Sequence, residues 1–224
     1  MMKKRYYILS FILLAGAFWG SVKNYAQPYY GFRISGGWAN VSITSTGSIS
    51  YNTKPIGYFS AGVFAEYPMS RENMYFEPSL MLSRKGFNLS FFYNFHLTFY
   101  YLEAPLMFDY RLNNFTLGAG PYFALGLTGN LRYTGTDFDG NKVDENERYY
   151  PILGKVKDED DDKLYFNMLD LGINLGVSYQ IDRYRIGFYF SRGFLPVNAP
   201  YMDDEEDKIF NKVFYFSASY YFNF

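Results

Sequence analysis

The chain has 224 residues, a formal net charge of -1 and a mean hydropathy of -0.20. Its length suits one domain. Its hydropathy excludes a bundle of apolar membrane helices, and its lack of cysteine excludes disulfides, thiolate metal sites and lipid attachment through a thiol. Aromatic residues make up 23% of it, an excess that suits Tyr and Phe rings parked at two membrane interfaces.

The N-terminus reads as an address. Lys3, Lys4 and Arg5 precede an apolar run from Ile8 to Trp19, which Lys23 and Asn24 end. A membrane-spanning helix needs about 20 apolar residues, so the shorter run fits a cleaved export signal. Ala26 supplies a small residue before Gln27. The expected organisation is a signal peptide over 1–26 and a barrel domain over 27–224. The signal holds bases and no acid, so the mature chain is mildly acidic and does not suit nucleic acid.

From Tyr30 the chain alternates with the period of a strand, whose successive side chains face opposite sides. Tyr30, Phe32, Ile34, Gly36 and Trp38 oppose Gly31, Arg33, Ser35, Gly37 and Ala39. A second segment, 58–67, sets Phe59, Ala61, Val63, Ala65 and Tyr67 against a face that ends in Glu66. The third, 76–83, carries Glu77 on its polar face, and the fourth, 102–110, carries Glu103 and Asp109. The fifth, 115–128, opposes Phe, Leu, Ala and Pro to Gly, Thr, Tyr and Ala. Asp170 lies on the polar face of the sixth, 169–179, and Arg185 on that of the seventh, 184–191. The eighth, 214–224, ends in Tyr220, Phe222 and Phe224 on one face.

The connections run long, short, long, short, long, short, long: about 44–55, 68–73, 85–95, 112–114, 129–163, 182–183 and 193–211. Outer-membrane barrels have short periplasmic turns and longer external loops. The predicted fold is therefore all-β, an eight-stranded antiparallel up-and-down transmembrane β-barrel with its lumen plugged by side chains. A soluble sandwich would put the apolar faces inside and would need protected edges. Here the second face is rich in Gly, Ser and Ala, as the crowded inside of a narrow barrel requires. Pro78 and Pro105 fall inside strands, which predicts a local bulge at each or different strand limits.

The inward parity collects Arg33, Glu66, Glu77, Glu103, Asp109, Asp170 and Arg185. Unpaired buried charge costs several kcal/mol, so these are expected to form a hydrogen-bonded lumen network. Adjacent strands suggest Asp170 with Arg185 and place Glu77 near Glu103, with Arg33 reached from the second and eighth strands. Acids outnumber bases in this set, which calls for protonated carboxyls, water, or Lys and Arg from the loops. Acidic runs at 158–162 and 203–207, with Asp137 and Asp139, offer Asp137, Asp139, Asp158, Asp160 and Asp162 as weak Ca²⁺ candidates. They lack the full spacing of a calcium loop and read more simply as solvated external loops. His96 is the one histidine, with no acid or nucleophile paired to it by the sequence pattern. Neither a catalytic motif nor a cofactor motif is present. Tyr220, Phe222 and Phe224 fit both a lipid-facing girdle and the terminal signal read by the barrel-assembly machinery.

Four stretches carry a resemblance: FEPSLMLSRKG (76–86), YYLEAPLMFDY (100–110), LGAGPYFALGLTG (117–129) and LDLGINLGVSY (169–179). Over roughly Tyr30–Phe224 the chain resembles the PorT-like outer-membrane β-barrel domain family. That resemblance implies an eight-stranded barrel in a Gram-negative outer membrane, without a catalytic motif, in a family some of whose members serve protein secretion and gliding. The expected role is structural or surface-binding, with outer-membrane lipid and the assembly machinery as partners and an envelope protein as a further one. An accessory role in a secretion or envelope complex, or a barrel enzyme acting on lipid or peptide, are the alternatives. The signal reading predicts that protein purified from outer membranes begins at or near Gln27; an intact N-terminus in its mass spectrum would contradict it.

Overall fold

The computed structural model describes residues 27–44, 53–90, 94–136, 141–153, 164–198 and 208–223. Among the described residues ten strands follow one another: β1 (Tyr29–Thr44), β2 (Thr53–Pro68), β3 (Met74–Ser90), β4 (Asn94–Leu112), β5 (Phe115–Thr136), β6 (Lys142–Ile152), β7 (Leu164–Asn167), β8 (Leu169–Ile181), β9 (Tyr184–Gly193) and β10 (Lys208–Tyr221). Eight of them close a ring. β1 pairs antiparallel with β2 and with β10, and the circuit runs on through β3, β4, β5, β8 and β9. The seam of β1 against β10 is as continuous as any other pair, from Gly31 opposite Tyr221 to Thr44 opposite Lys208. A ring has no free edge, so every strand in it has a pairing partner on both sides, as a membrane-spanning sheet requires.

The two faces of the ring differ as the alternation dictates. Trp38, Phe59, Leu82, Phe115, Ile186 and Phe216 are more than half exposed and point outward. Arg33, Ser35, Ser60, Glu66, Glu77 and Arg185 are buried and point inward. Large apolar side chains left outside a closed ring, with charge inside, require an apolar solvent around it.

Three tight connections gather at one end: 69–73, 113–114 and 182–183. Each contains a residue with positive φ, namely Asn73 (64°), Asn113 (54°) and Asp182 (49°). Asn and Asp tolerate the left-handed region that tight hairpins need. The start of β1 and the end of β10 lie at the same end, where Tyr30 N donates to Asn223 Oδ1 and Phe222 N to Tyr30 O. The strand ends that the long connections join lie at the other.

The strands outrun the expected segments. β3 continues to Ser90 and β4 begins at Asn94, so most of the connection expected over 85–95 is ladder. β5 runs on to Thr136 and pairs with β6, and β7 lies parallel to the end of β6. The loop expected over 129–163 thus contains part of a long hairpin, and the short strand β7 follows directly after it. Beyond the lipid the outer face need not be apolar, so the alternation fades while backbone pairing persists. β6 reads KVDENERYYPI, polar on both faces, which silences a period-2 search. Its charges also suit a strand whose outer side is paired only from Tyr149 onward.

The two prolines do not shift the register. The pairing of β3 with β4 is the same on either side of a gap between Pro78 and Met81, and β4 meets β5 unshifted from Tyr101 through Pro105 to Leu112. A proline removes one donor, and the remaining ladder holds the alignment. The shifts fall elsewhere, between Pro55 and Phe59 and between Tyr100 and Tyr101. A closed ring of this kind resists detergent until heated. The unheated protein is expected to migrate faster on a denaturing gel than the boiled one, and equal mobility would contradict closure.

Candidate functional site

The interior carries its charge in two clusters. Nearer the short turns, the Arg185 guanidinium reaches from β9 to three carboxylates on three other strands. Its Nη1 is 2.8 Å from Glu77 Oε2 and 3.4 Å from Asp109 Oδ2, and its Nη2 donates to Glu66 Oε2. Arg111 Nη2 holds the other Glu66 oxygen at 2.7 Å, and Arg33 Nη1 holds the other Glu77 oxygen at 2.8 Å. Tyr221 donates its hydroxyl to Glu66 at 2.9 Å, and Arg33 Nε donates to Ser219 Oγ at 2.8 Å. Three cations therefore meet three carboxylates. The carboxylate oxygens of Glu66, Glu77 and Asp109 lie within 4.8 Å of one another, close enough to hold a metal ion. Arg185 donates to all three, and so already serves as the cation of that cluster.

Nearer the long loops, Lys85 Nζ lies 2.6 Å from Glu103 Oε1 and 3.4 Å from Asp170 Oδ2. Ser83 donates to Glu103 at 2.6 Å, and Tyr122 and Asn211 donate to Asp170 at 3.1 and 2.8 Å. Aromatic faces line the cations in both clusters: Tyr221 against Arg185 at 5.0 Å, Phe64 against Arg33 at 4.8 Å, Tyr75 against Arg111 at 4.1 Å, and Tyr122 against Lys85 at 4.6 Å. A ring quadrupole attracts a cation most where water is excluded.

Beyond Lys85 the interior turns apolar. Val41, Phe87, Phe99 and Tyr101 pack with Phe166 from β7 and Val197 from the last loop. The Phe166 ring occupies the space a Cβ at position 126 would need, so Gly126 permits the close approach. Gly126 N donates to Met168 O, and Asn167 N to Val197 O, each at 2.7 Å. Met168 is thereby fastened to β5, and Val197 to the end of β7.

All seven residues expected in the interior, Arg33, Glu66, Glu77, Glu103, Asp109, Asp170 and Arg185, are buried there. Their expected neighbours were partly wrong. Asp170 does not meet Arg185, because the two-residue turn at 182–183 sets Arg185 opposite Gln180 and leaves Asp170 near the far end of β8. Glu77 stands opposite Met107 and Glu103 opposite Met81, so the two glutamates belong to different clusters. Arg33 is reached from the eighth strand, now β10, by Ser219, and it finds its acid, Glu77 of β3, across the interior. The sequence reading also missed Lys85, Arg111, Gln180 and Asn211, all polar groups in these clusters. Each continues the inward parity of its strand: Lys85 after Ser83, Arg111 after Asp109, Gln180 after Ser178, Asn211 before Val213. Extending the alternation past the apolar stretch would have found them.

His96 lies toward the loop end of β4, with Nδ1 2.5 Å from Asn88 Oδ1. An amide partner makes it neither a relay nor an activated base. Asp137, Asp139, Asp158, Asp160, Asp162 and Phe224 lie outside the described residues. Tyr220 and Phe222 face outward and form an aromatic seam with Phe32, at centroid distances of 5.7 and 6.0 Å. On the protruding hairpin, hydrogen bonds from Arg132 hold the Asp144 carboxyl below the ordinary carboxylate range.

A closed ring with an apolar exterior and paired charges inside defines an integral outer-membrane β-barrel. A family model, the outer membrane protein beta-barrel domain, matches residues 25–196, and the chain belongs to that family. Among solved structures, Neisserial surface protein A is 12% identical, over 87% of this chain and 99% of its own, with a TM-score of 0.47. The attachment invasion locus protein Ail of Yersinia pestis is 11% identical, over 88% of this chain and 100% of its own, with a TM-score of 0.43. A search of curated proteins found no match. The charged side chains of the interior are engaged with one another across strands.

Removing one partner from a buried ion cluster costs about 3–5 kcal/mol. Arg185→Met is therefore expected to lower the unfolding free energy by about that much, read by urea titration in phospholipid vesicles. Adding Glu66→Gln and Glu77→Gln should recover part of the loss. An Arg185→Met barrel as stable as the wild type would contradict the assignment.

Proposed function

We propose that this protein is a non-conducting barrel that anchors a surface-exposed platform in the outer membrane, its lumen plugged by its own side chains. The observation that carries the reading is the span of Arg185, which ties β9 to Glu66, Glu77 and Asp109 on β2, β3 and β4. An eight-stranded ring is only wide enough to be filled by side chains, and a guanidinium crossing it occupies the path an ion would take. The apolar cap of Phe166 and Val197 adds a second obstruction. Between the two ion clusters lies a cavity of about 20 Å³ walled by Arg33, Glu103 and Asn174, room for roughly one water molecule.

The long loops and the β5–β6 hairpin face the cell exterior in this reading, and the short turns face the periplasm. Residues 1–26 serve as the export signal, and Tyr220, Phe222 and Phe224 are read by the assembly machinery. The PorT-like motifs at 76–86, 100–110, 117–129 and 169–179 favour that finer family assignment. Protease added to intact cells is expected to cut within 130–163 and to leave a membrane-protected barrel. Cleavage that requires a broken envelope would overturn the orientation.

A further inference from the structure

The outer surface of β9 and β10 carries a feature that a plain lipid-facing wall does not need. The outward residues of β9 run Tyr184, Ile186, Phe188, Phe190 and then Arg192; those of β10 run Tyr220, Ala218, Phe216, Phe214 and then Lys212. The register sets Arg192 directly opposite Lys212. Like charges facing each other across adjacent strands destabilise a sheet. The outward neighbours to either side are Asn40 on β1 and Ile173 on β8, neither of them an acid. Neither cation forms an ion pair with an acid among the described residues.

The height of the pair is defined by the row beneath. Trp38, Phe214 and Phe190 are aligned by register on β1, β10 and β9, and the Phe190 and Phe214 rings pack at 4.8 Å. That row has the composition of an interfacial aromatic belt. The cations stand two residues further along their strands, about 7 Å nearer the long loops, with Lys212 Nζ 5.5 Å from the Phe214 ring centroid. Residues just beyond an aromatic belt stand at the level of lipid headgroups. Below the belt, the same strands border an apolar groove of about 780 Å³, lined by Gly36, Phe59, Ile186, Phe188, Phe216 and Ala218 among others.

We propose that the Arg192–Lys212 pair and this groove form one binding site for a phosphate-bearing membrane lipid, with the phosphate between the two cations and an acyl chain in the groove. The bridging anion removes the repulsion between the cations. The small residues Gly36 and Ala218 leave the depth that a chain fills and that bulkier residues at those positions would take up. The site rests on the barrel's place in a bilayer. It does not depend on the plugged lumen or on which side of the membrane the loops face, so each can fail without the other.

The test uses the full-length mature barrel in a neutral detergent, with native mass spectrometry reading the lipid retained. The probes are phosphatidylglycerol and a diacylglycerol with the same chains and no phosphate. The wild type is expected to keep one phosphatidylglycerol where diacylglycerol is stripped. Arg192→Gln with Lys212→Gln should lower that retention on the order of tenfold, and Arg192→Lys with Lys212→Arg should restore it. Ala218→Phe should weaken retention with both cations intact, and the heat-dependent gel shift verifies that each variant folds. Equal retention of the two lipids by the wild type, or unchanged retention in the double Gln variant, would overturn the proposal. Displacement of the lipid by millimolar inorganic phosphate would overturn the acyl-chain half. A lipid preference that emerges only after Asp203, Asp204, Glu205, Glu206 and Asp207 are replaced by Ser would give the cations to the chain's own acidic run, and would also overturn it.

Discussion

Charge buried inside a membrane-embedded ring must find charge of the opposite sign, and that constraint organises this molecule. A strand crossing a bilayer can place polar groups only on its inner face. Eight such faces converge on an interior about as wide as their own side chains can fill. Each carboxylate there needs a donor within reach, so Glu66, Glu77 and Asp109 gather round Arg185, and Glu103 and Asp170 round Lys85. These contacts join strands far apart in sequence: Arg185 and Glu66 are separated by 119 positions. The ion clusters therefore do across the barrel what the backbone ladder does around it.

Buried ion pairs are costly to assemble, and apolar replacements are often as stable. Their use here has a physical reason in the solvent. The exterior is already apolar, so an apolar interior would leave nothing to distinguish the two faces, and a one-residue slip of a strand would go unpunished. Charged inner residues bind each strand to one face. Arg33 turned outward would lose Glu77 and Ser219 and enter hydrocarbon. The aromatic rings beside the cations stabilise them without adding charge.

Much of this was legible in the sequence wherever lipid imposes it. Between Tyr30 and Trp38, or Phe115 and Leu127, hydrocarbon outside and crowding inside force strict alternation, and the ring strands follow from it. Past the bilayer that force ends. β6, with charges on both faces, gave no period to read, and Lys85, Arg111 and Asn211 fell into supposed connections or just outside the expected segments although their parity was right. Pairing needed one fact more. Parity says which residues enter the lumen, but register says at what height. The tight turn at 182–183 fixes Arg185 opposite Gln180, whereas the offset of Glu77 from Glu103 depends on a hairpin whose length the pattern underestimated. Acidic clusters that alternation alone would have merged are in fact held apart.

The proposal that rests on this arrangement is that these side chains close the lumen to ions. Single-channel recording of the purified mature barrel in planar lipid bilayers tests it most directly. The account predicts no steady conductance in the wild type, and the appearance of conductance when Arg185 and Phe166 are both replaced by Ala in a barrel that still shows the heat-dependent gel shift. A reproducible, steady conductance from the wild type would contradict it.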